Sequence, residues 1–230
     1  VPGCSMWLDA ADAGSVIRSG SSVTQWTDKS GNGKNATTST NYPSYSTNSL
    51  NGKGTIRFAG ASGTANYLDT AAFDFGTSQR SAFFVIQNTG PSTGAGSAPH
   101  WFWPLTGNST NALSLAGWNN IFVQAQEGLL SYTPAKNAYM IMSMQFGATS
   151  GTGRMFTNGT IQGTFTKTVG GTSFANATAG YRLGYLTGST ATDYNFDGNI
   201  AEMILFNTAV SDTQRQQIEG YLAWKWGLTS

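Results

Sequence analysis

The segment NIAEMILFNTAVSDTQRQQIEGYLAWKWG, residues 199–227, changes periodicity across one short break. Its first nine residues are rich enough in branched and aromatic side chains to read as a strand. From Ser211 onward the spacing is helical. Ile218, Leu222 and Trp226 share a stripe with Tyr221 beside it, Ser211 and Gln214 have capping-box spacing, and Gly227 is placed for a left-handed C-cap. Lys225 sits in the last turn, where the helix dipole favours a cation. A strand feeding one convincing helix predicts a helix laid on a sheet.

Upstream, the chain reads almost entirely as strands. AYMIMSMQFGA (138–148) is the clearest, with Met140, Met142, Met144 and Phe146 on one face and Ile141, Ser143 and Gln145 on the other, the pattern of a half-buried strand. GTIRFAG (54–60), SAFFVIQN (81–88), HWFWPLT (100–106), ALSLAGW (112–118), NIFVQAQ (120–126) and GYRLGYL (180–186) each place apolar residues between turn formers. GRMFTNGTIQGT (153–164) turns at Asn158-Gly159, a strong hairpin signal because a type I′ turn needs positive φ twice. NTGPSTGAGSAPH (88–100) has no periodicity and reads as a surface excursion between strands.

Composition agrees. Among 230 residues there are 29 glycines, and charged residues make up only 10%, against about 25% in an average domain. The predicted fold is therefore all-β, an antiparallel sandwich closed by one C-terminal helix, with residues 1–230 as one domain. Net charge is +1 and no Lys/Arg cluster occurs, so the electrostatic footprint of a nucleic-acid binder is missing. No 18-residue apolar run predicts membrane insertion, and the N-terminus lacks the charged region of a signal peptide. Opening without Met and stopping just past a helix, the chain is expected to be a mature or excised module of a larger protein or assembly. Cys4, the only cysteine, excludes an intrachain disulfide and a cysteine-based zinc site.

The polar stretch VTQWTDKSGNGKNAT (23–37) has the composition of a functional loop but the pattern of a turn. Trp26 is expected to anchor its base, and the Asp28 carboxylate to accept amides of the turn that follows. Its glycines do not match the phosphate-cradling GxxxxGK[ST] spacing. The sequence predicts no cofactor, with calcium left as the possible exception. Asp28 and Asn32 here, and Asp193 and Asp197 in DYNFDG, are its weak candidate ligands, without the alternating acidic pattern of an EF-hand.

Catalytic chemistry finds little support. Glycoside hydrolysis needs two carboxyl groups facing each other across the sugar. The only glutamates are Glu127, Glu202 and Glu219. Glu219 is expected in solvent on the helix and Glu127 at an edge or turn, leaving Glu202, inside its strand, as the best candidate. The lone histidine, His100, has no nucleophile motif nearby and cannot form a paired-histidine zinc site. A binding signal is better supported. His100, Trp101, Trp103, Asn108, Trp118 and Asn119 cluster after the 88–100 excursion, where indoles could stack on sugar C–H faces and amides could take hydroxyls. The alternative assigns these tryptophans to the core. Trp7, Trp26, Trp224 and Trp226 are expected to close the sandwich against its terminal strand and helix. Sequons stand at Asn35, Asn108, Asn158 and Asn176.

SMWLDAADAGSVIRSGSSVTQWTDKSGNGKNAT (5–37), IRFAGASGTANYL (56–68), RMFTNGTIQG (154–163) and above all YNFDGNIAEMILFNTAVSDTQRQQIEGYLAWKWGL (194–228) resemble laminin-G-like modules of the concanavalin A-like lectin/glucanase superfamily. Trp26, Asp28, Ser30, Gly31, Asn32 and Gly33 match its first sheet crossing. Asn158-Gly159 match its hairpin, and Phe196, Asp197 and Gly198 its entry to the last long strand. The glucanase members carry a Glu-x-Asp-x-x-Glu cluster on one strand, whereas here Ile204 stands two residues after Glu202. The resemblance implies a jelly-roll sandwich of the kind found in virion and environmental surface proteins. It further implies a non-enzymatic structural or adhesion module contacting neighbouring copies or other structural proteins, located on a virion or at the cell surface. A carbohydrate-binding lectin role is the alternative, and a hydrolase or lyase a more remote one.

Overall fold

Along the chain of the computed structural model the strands are β1 (Met6–Asp9), β2 (Val16–Ser19), β3 (Ser22–Trp26), β4 (Ala36–Thr37), β5 (Ser44–Leu50), β6 (Lys53–Phe58), β7 (Leu68–Thr70), β8 (Arg80–Asn88) and β9 (His100–Pro104). There follow β10 (Leu115–Ala116), β11 (Ile121–Ala125), β12 (Gly128–Ser131), β13 (Tyr139–Phe146), β14 (Thr152–Thr157), β15 (Thr160–Thr166), β16 (Tyr181–Leu183), β17 (Gly198–Phe206) and the helix α1 (Asp212–Trp226). The structure describes residues 1–60, 66–72, 79–90, 100–104, 115–116, 121–125, 128–131, 135–147, 152–166, 180–185 and 195–228. Most of the expected 88–100 excursion lies outside them.

The strands pair antiparallel in the order β10-β9-β16-β7-β4-β3-β5-β6-β17-β8-β13-β14-β15, with β1 against β17, β2 against β3, and β11 with β12 apart. This path doubles over where β3 meets β5 at the single pair Ser22–Ser44, so its two halves face each other as a sandwich. Between the layers lie Leu8, Val23, Trp26, Leu68, Phe102 and Tyr181, packed with Phe84, Ile86, Met142, Met144, Ile200 and Met203. The protein is an all-β sandwich with one C-terminal helix.

The layer containing β17, β8 and β13 is buried on both faces. Phe83, Val85, Ile141, Ala201 and Ile204 point away from the inter-layer core and pack under Leu222 and Trp226 of α1. This corrects the half-buried expectation for β13. Its Met140–Phe146 face is in the core as expected, but Ser143 and Gln145 are buried as well. They are satisfied by the helix side, because Ser143 donates to Glu219 and Gln145 Nε2 donates to the Val210 carbonyl at 2.8 Å. A covered strand tolerates such residues only when their polar atoms find partners.

Helix α1 has the expected ends. Ser211 and Gln214 form a reciprocal capping box, and Gly227 takes the left-handed C-cap at φ 66°. The stripe needs one correction: Glu219 is buried, not solvated. It pairs with Arg215 at 2.5 Å, and Arg215 lies over the Phe156 ring. Trp26 and Trp226 are fully buried, whereas Trp224 is 81% exposed and closes nothing, because it lies off the face that packs on the sheet. Trp226→Ala should therefore cost about 3–5 kcal/mol in a urea titration. Trp224→Ala should stay within about 0.5 kcal/mol of wild type.

Candidate functional site

Glu202 is the first residue to place, because it was the best carboxylate for chemistry. It is fully buried. Oε1 accepts the Trp7 indole N–H at 2.7 Å and the Tyr221 hydroxyl at 3.1 Å. Oε2 accepts the Lys225 ammonium at 2.7 Å and the Trp226 indole N–H at 2.6 Å. A β-bulge sets this up. The β17–β8 register slips between Ile200 and Glu202, so Ala201 and Glu202 both reach the helix side while Ile200 and Met203 face the inter-layer core. Asp9 lies directly across from Glu202 on β1. Lys225 joins the two carboxylates, reaching Asp9 Oδ1 at 2.6 Å, and Lys29 reaches Asp9 Oδ2 at 3.1 Å and Asp12 at 2.7 Å.

The electrostatics follow from this packing. Burial, and then the charges of Glu202 and Asp9, push the Tyr221 phenol far up, so it stays a donor. For Lys29 burial opposes the charge, but hydrogen bonds to Asp12 and Asp9 outweigh it and raise the ammonium above its ordinary value. Lys29 in turn holds Asp12 below the usual carboxylate range. With two donors on each oxygen and no exposure, Glu202 cannot reach a glycosidic bond in solvent.

The 23–37 loop is architecture of a similar kind. Asp28 Oδ1 accepts the backbone N–H groups of Trp7 and Ser30, each at 2.9 Å. Oδ2 accepts the Ser30 hydroxyl at 2.7 Å and the Lys34 N–H at 2.9 Å. Asn32 turns its amide nitrogen to the Cys4 and Ser5 carbonyls. At Asp28 the carboxylate is occupied by four donors, and the Asn32 amide presents N–H groups to those carbonyls. Asp197 is ion-paired with Arg57 and accepts the Thr89 hydroxyl. Asp193 and Glu127 lie outside the described residues. Among those described, no three His, Cys, Asp or Glu side chains gather as a metal site.

The sugar-binding candidates divide. His100, Trp101 and Trp103 lie on β9, while Asn108, Trp118 and Asn119 fall outside the described residues. What β9 joins was not anticipated from sequence. Gln25 pairs with Thr37, Thr37 with Asp69, Asp69 with Arg182, and Arg182 with Trp103, one register row across β3, β4, β7, β16 and β9. The neighbouring positions Trp26, Ala36, Leu68, Leu183 and Phe102 are in the core, so Gln25, Thr37, Asp69 and Arg182 belong to the outer face. Arg182 grips Asp69 with two hydrogen bonds of 2.7 Å. Its guanidinium lies 4.0 Å from the Tyr67 ring centroid and 5.7 Å from that of Tyr185. A row of hydrogen-bonding side chains flanked by aromatic rings suits a hydroxyl-rich ligand. Elsewhere, a cleft of about 440 Å³ beside β13 and β14 holds Arg154, but Asp212 and Gln145 already bind that guanidinium. Of the sequons, Asn35 and Asn158 use their side-chain oxygens on backbone N–H groups of Asp28 and Ile141. Asn108 and Asn176 lie outside the described residues.

No protein-family model and no curated protein matches the chain. Solved structures do. The receptor-binding domain of botulinum neurotoxin type G superposes with TM-score 0.64 at 10% identity, over 95% of this chain and 51% of that one. Domain 4 of an extracellular GH43 arabinanase from Geobacillus stearothermophilus, in complex with arabinotriose, gives 0.59 at 14%, over 84% and 92%. Trypanosoma rangeli sialidase gives 0.62 at 12%, over 97% and 33%. The chain spans about half the length of the toxin domain it matches. At these identities the likeness is one of fold, a β-sandwich.

Asp28→Asn would turn an acceptor into a donor facing N–H groups, and should cost about 1–3 kcal/mol. Calcium or a chelator should leave the melting temperature of the wild type unchanged. A calcium-dependent rise lost in Asp28→Asn would mean that the loop binds metal after all.

Proposed function

We propose that the chain is a non-enzymatic adhesion module of the laminin-G-like kind. In this reading it recognises carbohydrate on the outer face of the β4-β7-β16-β9 layer and works on a virion or cell surface as part of a larger assembly. The register row from Gln25 to Trp103 carries the proposal. It combines hydrogen-bonding groups with the Tyr67 and Tyr185 rings, and strand spacing of about 4.8 Å gives it room for more than one sugar ring. The non-catalytic part is supported by the state of the carboxylates. Each one among the described residues is engaged by a cation or by N–H donors, and Glu202 is sealed beneath α1. The solved neighbours include a toxin receptor-binding domain and a domain holding arabinotriose, which fits a binding role. Contact with neighbouring proteins of the assembly is favoured separately by Trp224, a large aromatic left exposed on the helix.

A glycan array probed with the isolated chain tests this reading. Binding should fall at least about tenfold in Arg182→Ala and Trp103→Ala, in line with about 1.4 kcal/mol for each lost anchor. Release of reducing ends from arabinan, laminarin or chitin fragments should stay at background. Turnover would remove the adhesion reading, and an array silent at all concentrations would leave protein contact as the function.

A further inference from the structure

The cluster around Lys225 has a geometry that no binding role uses. Its ammonium nitrogen sits 2.6 Å from Asp9 Oδ1 and 2.7 Å from Glu202 Oε2. All three side chains are almost or fully buried, among Trp7, Tyr221 and Trp226. An amine held against one carboxyl group, with a second carboxylate in hydrogen-bond reach and little water, is the arrangement for amide formation. We propose that Lys225 and Asp9 condense into an intramolecular isopeptide bond, with Glu202 as the acid–base group.

The step balances without a co-reactant. Glu202 Oε2 takes a proton from the Lys225 ammonium, and the freed amine attacks Asp9 Cγ to form the C–N bond. Glu202 passes this proton to the departing oxygen, then takes a second from the attacking nitrogen and delivers it likewise as the C–O bond breaks. Of the three ammonium protons one stays on the amide nitrogen and two leave with the oxygen as water, and nothing is oxidised or reduced. The remaining contacts of Asp9 fit these roles. The Ala11 backbone N–H donates to Oδ1 at 3.1 Å, where it would stabilise the tetrahedral oxyanion that becomes the amide carbonyl. Lys29 lies at Oδ2, 3.1 Å away, where it would neutralise the leaving oxygen. Lys29 is also a rival nucleophile, but it stands farther from Asp9, is held by Asp12 at 2.7 Å, and lacks a buried base beside it.

Physical chemistry favours the reaction in this position. Well-oriented intramolecular partners reach effective molarities of about 10⁵–10⁸ M, which lowers the barrier to attack by about 7–11 kcal/mol. Condensation removes one of two carboxylates that share a single ammonium, and leaves Glu202 held by the Trp7 and Trp226 indoles, the Tyr221 hydroxyl and the new amide N–H. The product would tie β1 to α1, so force applied between segments before residue 9 and after residue 225 would bypass the sandwich. That property suits an adhesion module, although the chemistry does not depend on the sugar-binding proposal.

Intact-mass spectrometry of the denatured, full-length wild-type chain tests the bond. The expected mass is lower than the sequence mass by one water. A tryptic digest should contain a species joining residues 1–18 to residues 216–230, with no cleavage after Lys225. Lys225→Arg and Glu202→Gln, checked for folding by circular dichroism, should show the full mass and separate peptides. Wild-type protein at full mass with unlinked peptides would overturn the proposal, and needs no variant to be folded. A link to Lys29 instead would overturn the assignment of the nucleophile, and a link persisting in folded Glu202→Gln would overturn the role of Glu202.

Discussion

The structure depends on one buried carboxylate. Glu202 gathers an indole from β1, an indole, a phenol and an ammonium from α1, and a cross-strand carboxylate on Asp9 into a single network. A charge in this position would cost several kcal/mol if it were unpaired, so its four donors are a condition of folding. They also fix where the helix lies. Leu222 and Trp226 supply apolar area but little direction, whereas hydrogen bonds from Trp226 and Lys225 admit one placement of the last turns. At the other end of α1, Arg215 and Glu219 against Ser143 and Phe156 do the same.

Much of this architecture was legible in the sequence. Helix boundaries followed from Ser211, Gln214 and Gly227, because caps are local hydrogen-bond chemistry. The turn at Asn158-Gly159 and the amide-accepting role of Asp28 were legible for the same reason, with Asn158 and Gly159 both at positive φ. Elements whose cause is distant were not. The polar strand β5, SYSTNSL, has no apolar period and is defined by its pairing with β6. The bulge at Ala201 is invisible in NIAEMILFN, yet it decides that Glu202 faces the helix rather than the core. Glu219 was misplaced because a glutamate on an amphipathic helix is ordinarily in water, and only its partners Arg215 and Ser143 make its burial tolerable.

The candidate site divides along the same line. The tryptophans of HWFWPL marked β9 as interesting, but the residues it joins, Asp69, Arg182, Tyr67 and Tyr185, are scattered over the chain and meet only through strand order. Conversely, the resemblance motifs WLDAAD and LAWKWG become intelligible through packing. Trp7, Tyr221, Lys225 and Trp226 donate to Glu202, and Asp9 pairs with Lys225. The most specific part of the sequence pattern therefore encodes how the helix is held on the sandwich.

Amide hydrogen exchange on the helix tests this account most directly. In Glu202→Gln the network loses one of the two carboxylates that hold Lys225, and the amide presents N–H groups to donors that need an acceptor. Breaking a buried pair in this way should cost about 3–5 kcal/mol. The account predicts that protection of residues 212–226 falls by more than about a hundredfold relative to wild type, the ratio corresponding to about 2.8 kcal/mol at tenfold per 1.4 kcal/mol. Helix protection unchanged in a folded Glu202→Gln protein would contradict it, and would mean that apolar packing alone seats α1 on the sheet.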